Sequence, residues 1–530
     1  MNDDLPKLSR SLPLPAATGR PNRAAAALAA RSRSGAGLWR PRSFAARLAI
    51  FCIFCPLALP LSVAACQESV GKDKIPAGAA DSEALPDFGP IQAKLEAIRG
   101  LRFTRPVPAS FQDAGDFAAM VDEELAEMLP AERQDGMVKG LVRLGLLAEP
   151  IDIAEALRTT YATQALAYYD PEADRFFYLA RGLGEAEMED VTAHELVHAL
   201  QDQVFDLGPI GDLQESLVAR DVRQEDFALA IGFLIEGEAT YVENRYAMDR
   251  DGMSFAGIPS AERMYFKNAA RLEDSFSAMF SGKDMGDLEG VDEMIASALR
   301  GMADLPPLLI RPLQAQYGFG AYFVMSAVHE GGFDAVSAIY EDLPRSTEQV
   351  LHPEKYFREP DEPTPLPLLS PSLLEAEGWT RIDAAVHGEL HLALLLELNG
   401  CPRLNAEAAA AGWDGDVYQA FWHPEKKHTM TVLQTTWDDD TEALRFFEAY
   451  HDTFRTKYPK RAGSASGPGN ASGAGDESGS LVSFDSGDPA LGQVWLERKG
   501  REVFAIEGGD PGLAVELAGA LRALEVRHVR

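Results

Sequence analysis

The chain has 530 residues, 46% of them hydrophobic and 25% charged. That is enough to bury a large core and long enough for more than one domain. A formal charge of −33 at pH 7 excludes a nucleic-acid partner, because phosphate recognition needs clustered Lys and Arg and no such cluster follows the leader.

The first 65 residues carry nine Lys or Arg against two acids, Asp3 and Asp4. An apolar run from Leu48 to Ala65 (LAIFCIFCPLALPLSVAA) follows and ends at Cys66. A basic stretch followed by an apolar one is the order of a secretory signal peptide, and Pro56 and Pro60 interrupt what would otherwise be a spanning helix. Val63-Ala64-Ala65-Cys66 resembles the lipobox of bacterial lipoproteins. The resemblance implies cleavage before Cys66, lipidation of its sulfur, and a mature chain held on the membrane in the cell envelope, facing the periplasm or exterior. Cys52 and Cys55 leave with the leader and Cys66 is acylated, so Cys401 is left alone and no disulfide framework is available.

Residues 66–90 read as a flexible tether, rich in Gly, Ala and Pro. Periodic apolar spacing predicts amphipathic helices at 115–128 and 136–147. The stretch 165–180 has two aromatic arms around Asp170-Pro171-Glu172-Ala173-Asp174 and predicts a β-hairpin. Helices are expected at 190–204, 226–248, 260–281 and 318–341. The second of these is apolar on all sides and belongs in a core. A Pro-rich stretch at 360–372 marks a boundary. Beyond it, strands at 417–422 and 429–437 with a helix at 441–456, then strands at 493–498 and 501–507 with a helix at 511–525, use a ββα pattern twice. The Gly/Ser-rich insert at 460–481 is expected to be disordered.

The strongest chemical signal is His194-Glu195-Leu196-Val197-His198 on the third predicted helix. Side chains four apart share a helical face, so both imidazoles reach one ion and Glu195 reaches a water beside it. A chain with ten His and 82 acids shows this spacing by chance roughly 0.03 times, so it is read as a site. Zinc lowers the pKa of such a water to about 7 and polarises a carbonyl. A catalytic zinc takes three protein ligands, so a third must come from elsewhere. Glu236 and Glu238 lie in the apolar helix, where an acid is costly unless neutralised, and they point to nearly opposite sides, so one of them is the ligand.

Glu236-Gly237-Glu238-Ala239-Thr240-Tyr241 resembles the third-ligand helix of the gluzincin metallopeptidases, which selects Glu236. His194–Gln203 (HELVHALQDQ), the Tyr169-Asp170-Pro171-Glu172 hairpin, the EGEAT segment and Ser346–Tyr356 (STEQVLHPEKY) together resemble a poorly characterised family of bacterial predicted zinc metallopeptidases, from about residue 95 to 455. The resemblance implies one Zn2+ held by His194, His198 and Glu236, Glu195 as general base, and a peptide or protein substrate. It also implies an oxyanion donor downstream: His352 is preferred, with Tyr356 and Tyr317 as alternatives. Phe176–Ala180 is the candidate strand for pairing with substrate, and Asp202 the candidate acceptor that orients a ligand imidazole. His387, His391, His423 and His428 are assigned structural or surface roles, and Gly412-Trp413-Asp414 a tight turn with a packed Trp.

The expected architecture is α+β: a mainly helical, zincin-like metallopeptidase domain at 91–370 with a short hairpin, then a small antiparallel α+β domain at 371–530. The expected activity is that of an envelope-anchored zinc metallopeptidase. The alternative is a non-catalytic, lipid-anchored binding or envelope-assembly protein with a structural or vestigial metal site. Glu195 favours the former, because a structural site has no need of it.

Overall fold

The computed structural model describes residues 51–53, 85–179, 185–255, 258–280, 305–459, 479–488 and 491–529. Cys66, nearly all of the leader, most of the tether and residues 460–478 of the insert lie outside them. The chain is mixed α and β, as expected. No described helix is long and apolar enough to cross a membrane.

The first helix among the described residues, Phe88–Arg99, starts where Asp87 accepts a hydrogen bond from the Gly89 amide, so it reaches back into the expected tether. A small sheet follows, in the order β1 (Phe51–Ile53), β3 (Ala165–Asp170), β4 (Arg175–Tyr178), β2 (Ala109–Phe111). Strands β3 and β4 form the expected hairpin. Asp170 Oδ1 accepts from the Glu172 and Ala173 amides, and Asp174 takes a φ of 48°, which closes the turn. Strand β4 is not an edge, however. It pairs antiparallel with β3 and parallel with β2, so both rows of its backbone groups are taken and the Phe176–Ala180 arm cannot serve as the open acceptor expected of it.

Two helices carry the signal residues. The motif helix, Glu185–Phe205, packs over β3 and β4; the central helix, Glu225–Arg250, crosses it. Every residue of the central helix from Ala230 to Val242 is buried, which explains the all-round apolar composition of its middle. On its far side lies the long helix Pro307–Ile339, broken at Gly331–Gly332. A Cβ at Gly237 would fall 2.2 Å from the Gly320 carbonyl carbon, and one at Gly320 would fall 2.2 Å from the Phe233 oxygen. Two glycines thus let the backbones of these helices touch, which fixes the height of Glu236 against its neighbours.

The C-terminal part is a six-stranded antiparallel sheet in the order β5 (Thr380–Ala385), β6 (Trp413–His423), β7 (His428–Trp437), β10 (Glu502–Glu507), β9 (Gln493–Lys499), β8 (Gly479–Asp485). Its residues alternate between two cores. Leu433, Val503 and Ala505 face the helix Asp440–Lys457 with Phe446 and Tyr450, while Val432, Phe504 and Ile506 face the helix Pro511–Arg522 with Leu513 and Leu517. The two ββα units therefore place their helices on opposite faces. The helix Ala131–Leu144, which precedes the metal motif in sequence, packs into the first of these cores through Val138, Leu141 and Leu144.

Candidate metal centre

His194 and His198 sit one turn apart on the motif helix, and their Nε2 atoms are 3.2 Å from each other. Glu236 Oε2, from the central helix, is 3.3 Å from His194 Nε2 and 3.5 Å from His198 Nε2. Three donor atoms from two helices thus surround one point, and each of the three residues is at most 1% exposed. Ligands at about 2.0–2.1 Å from a tetrahedral zinc are separated by about 3.3 Å, so the three observed spacings fit that ion. The donor set, two imidazoles and one carboxylate, suits the same metal.

Each imidazole is oriented through its other nitrogen. Glu243 Oε2 lies 3.0 Å from His194 Nδ1, and Gln201 Oε1 lies 2.8 Å from His198 Nδ1. Gln201 is itself anchored, donating to the Ile235 carbonyl at 3.0 Å and to Glu238 Oε2 at 3.1 Å. Glu238 is held by the Arg99 guanidinium and by the Tyr340 hydroxyl at 2.5 Å. The two glutamates of EGEAT thus divide the work, Glu236 facing the histidines and Glu238 closing a buried ion pair. Such outer partners fix which imidazole nitrogen is presented to a metal.

Burial disfavours charge on His194, but the Glu236 and Glu243 carboxylates outweigh it and lift its pKa to about 10. The negative potential that would hold a proton there equally attracts a dication. Burial alone would raise the Glu236 carboxyl; His198 and His194 hold it below its usual range. Glu195, between the two histidines, is fully buried; no side chain among the described residues hydrogen-bonds to its oxygens, and only the Tyr169 backbone lends a donor. Burial pushes its carboxyl up to about 7, against the opposing pull of His198 and His194. A buried carboxyl that no side chain pairs is costly in a core and useful beside a reacting water.

Two expected supporting residues stand elsewhere. Asp202 does not orient an imidazole: its Oδ2 accepts from Tyr169 Oη and Arg105, both at 2.9 Å, and its Oδ1 from the Leu207 amide. Asp202 shares a helical face with His198, but its oxygens are taken by these three donors; Gln201, three residues after His198, reaches the ring instead. His352 is turned toward Glu389, with Nε2 2.9 Å from Oε1, and lines a cavity whose walls include none of His194, Glu195, His198 and Glu236. The Tyr356 hydroxyl donates to the Asp342 carbonyl at 2.5 Å. Of the three candidates for oxyanion donor, only Tyr317 has a recorded contact with the centre: its ring lies 6.1 Å from that of His194, on the long helix.

The histidines given structural roles behave as such. The His387 ring lies tilted against that of Tyr418 at 5.0 Å, His391 bonds the His387 carbonyl, and His423 and His428 pack edge-on against Trp379. Trp413 is buried and donates to Asp416 at 3.0 Å. Among the described residues one further carboxylate group, Glu348, Asp361 and Asp438, brings its oxygens together. The Lys355 ammonium already sits among them, at 2.5, 3.1 and 2.7 Å.

Residues 376–518 match a family described as a domain of unknown function (DUF8575), and this span contains none of the metal-centre residues. No curated protein and no solved structure matches the chain.

Proposed function

We propose that the chain is a zinc-dependent, zincin-like metallopeptidase, tethered in the cell envelope through a lipid on Cys66. The observation that carries the reading is the convergence of His194, His198 and Glu236 beside a buried Glu195 that no side chain pairs. A structural zinc is closed by four protein ligands and has no use for such a carboxyl, whereas a catalytic one keeps a position open next to a base. The peptide bond as substrate rests on the resemblance of the motif segments to metallopeptidases.

Zinc, when bound here, supplies a Lewis acid that polarises a carbonyl and brings the pKa of a water down to about 7. The remaining tasks fall to the chain. Glu195 takes the proton from the attacking water and passes it to the departing nitrogen, a role served by a pKa near neutrality. Glu243 and Gln201 keep the His194 and His198 rings aimed. Tyr317, whose ring lies 6.1 Å from that of His194, is the candidate donor to the developing oxyanion. The motif and central helices are held in one apolar core that includes Phe176, Tyr178, Leu196, Leu234 and Ile235.

The test is metal analysis of the purified protein together with a peptide-hydrolysis assay on Glu195→Gln. The variant keeps its zinc and loses turnover by about 10²- to 10⁴-fold. Wild-type protein that takes up no zinc, or a variant with undiminished turnover, rejects the reading.

A further inference from the structure

A cavity of about 390 Å³ lies at the seam between the helical part and the C-terminal part of the chain. Its walls come from the helices Pro259–Phe280 and Pro307–Ile339 and from Leu351–His352 on one side, and from the helices Gly388–Leu398 and Arg403–Ala410 on the other. It is separate from the metal centre, which none of its lining residues joins. The long helix divides the two: Tyr317 looks toward His194, while Phe319 and Tyr322 line the cavity. The volume falls in the range of small-molecule sites, and a seam between two structural units is a common place for one.

The polar end of the cavity is built rather than incidental. Glu389, 5% exposed, spends one carboxylate oxygen on His352 Nε2 at 2.9 Å, and the other has no hydrogen-bond partner among the described residues. Glu354 approaches the opposite nitrogen of the same ring at 4.0 Å. Burial disfavours charge on His352, but Glu389 and Glu354 outweigh it and raise its pKa, so two acidic side chains converge on one imidazole at this end. Arg311 and Arg403, on the walls, are matched by Glu397 and Glu407 at 2.9 and 2.7 Å. Lys267 is exposed at the rim, where solvent screens it. The body of the cavity is apolar, formed by Phe319, Tyr322, Leu351, Leu390 and Leu394.

We propose that this seam cavity binds a primary ammonium carried on an apolar body, the ammonium donating to the unpartnered oxygen of Glu389 and the body lying against Phe319, Leu390 and Leu394. Such a group is offered both by a free hydrophobic amine and by the N-terminus of a peptide that begins with an apolar residue. The inference does not depend on hydrolysis at the metal centre, because no residue is shared.

Calorimetric titration of the full mature chain with leucinamide tests it, with N-acetyl-leucinamide as the uncharged control. Leucinamide binds, the acetylated compound does not, and Glu389→Gln weakens binding by at least about tenfold. Ala393→Phe, which fills the cavity from a half-buried wall position and leaves Glu389 in place, also abolishes binding and covers the case in which the Glu389 variant fails to fold. Glu195→Gln binds leucinamide as wild type does. A peptide with a free N-terminal leucine then distinguishes the sources: binding identifies a chain terminus, and its failure alongside leucinamide binding identifies a free amine. No binding of leucinamide, equal binding of the acetylated compound, or unchanged binding in Ala393→Phe overturns the proposal.

Discussion

Glu243 Oε2 lies 3.0 Å from His194 Nδ1, and Glu243 stands seven residues beyond Glu236 on the same helix. Seven residues are close to two full turns, so the central helix presents Glu236, which faces both histidines, and Glu243, which holds His194 Nδ1, on one face. Removing the acceptor frees the imidazole to rotate. Glu243→Ala therefore weakens zinc binding by about 10- to 100-fold while leaving the fold intact. Competition against a chromophoric chelator measures this, and an unchanged affinity would show that Glu243 has no positioning role.

The close approach of Gly237 and Gly320 leaves no room for a methyl group. Backbone, unlike the end of a flexible side chain, cannot step aside, so Gly237→Ala sits at the upper end of overpacking costs, about 3 kcal/mol. The displacement is felt at Glu236, the preceding residue. Denaturant melts and zinc content of the variant report the two effects, and they are expected to fall together. An alanine variant as stable as wild type would mean that the helices are not locked at this point.

Tyr317→Phe removes a hydroxyl and little else. If that hydroxyl stabilises the oxyanion, kcat falls by about 10²- to 10³-fold with KM and zinc content nearly unchanged. The corresponding variants His352→Ala and Tyr356→Phe leave kcat within a few-fold, because His352 is engaged with Glu389 and Tyr356 with the Asp342 carbonyl. A larger loss in His352→Ala than in Tyr317→Phe would reverse the assignment.

Stability carries a pH signature from Glu225. Its Oε2 is shielded and unpartnered although the residue as a whole is half-buried. Burial pushes its carboxyl from the usual 4.5 up to about 8, against the pull of Arg223 and Arg133. A carboxyl with a raised pKa in the folded state holds its proton there, so the stabilisation is complete below about pH 4.5 and is lost as pH rises through about 8. Across that window this group lowers unfolding free energy by at most about 1.4 kcal/mol per pH unit. Glu225→Gln is neutral throughout and loses this component of the slope. Urea melts of both proteins between about pH 5 and pH 8.5 isolate it as a difference, and parallel curves would show that Glu225 titrates normally.

The grouping of His194, His198 and Glu236 was legible because its signals are local. Two histidines four apart and an acid inside an apolar helix are visible without knowing how the chain folds, and the motif and central helices end within five residues of their expected limits. The outer partners were hidden for the opposite reason. Gln201 and Asp202 are neighbours on one helix, and nothing in the sequence says that the amide reaches His198 while the carboxylate goes to Arg105 and Tyr169. Glu243 reads as one more surface acid until the crossing of the two helices is known. The strand order was equally out of reach, since β4 loses its edge to Ala109–Phe111, a three-residue strand more than sixty positions upstream. Helix Gly388–Leu398, with its near-continuous run of apolar residues, has no period to declare it.

The central claim, that His194, His198 and Glu236 hold one zinc, is tested most directly by anomalous diffraction at the zinc edge from crystals of the protein. The account predicts a single strong peak about 2.0–2.2 Å from His194 Nε2, His198 Nε2 and Glu236 Oε2. A zinc-supplemented crystal with no peak between those three side chains, or with its peak among Glu348, Asp361 and Asp438 instead, would contradict it.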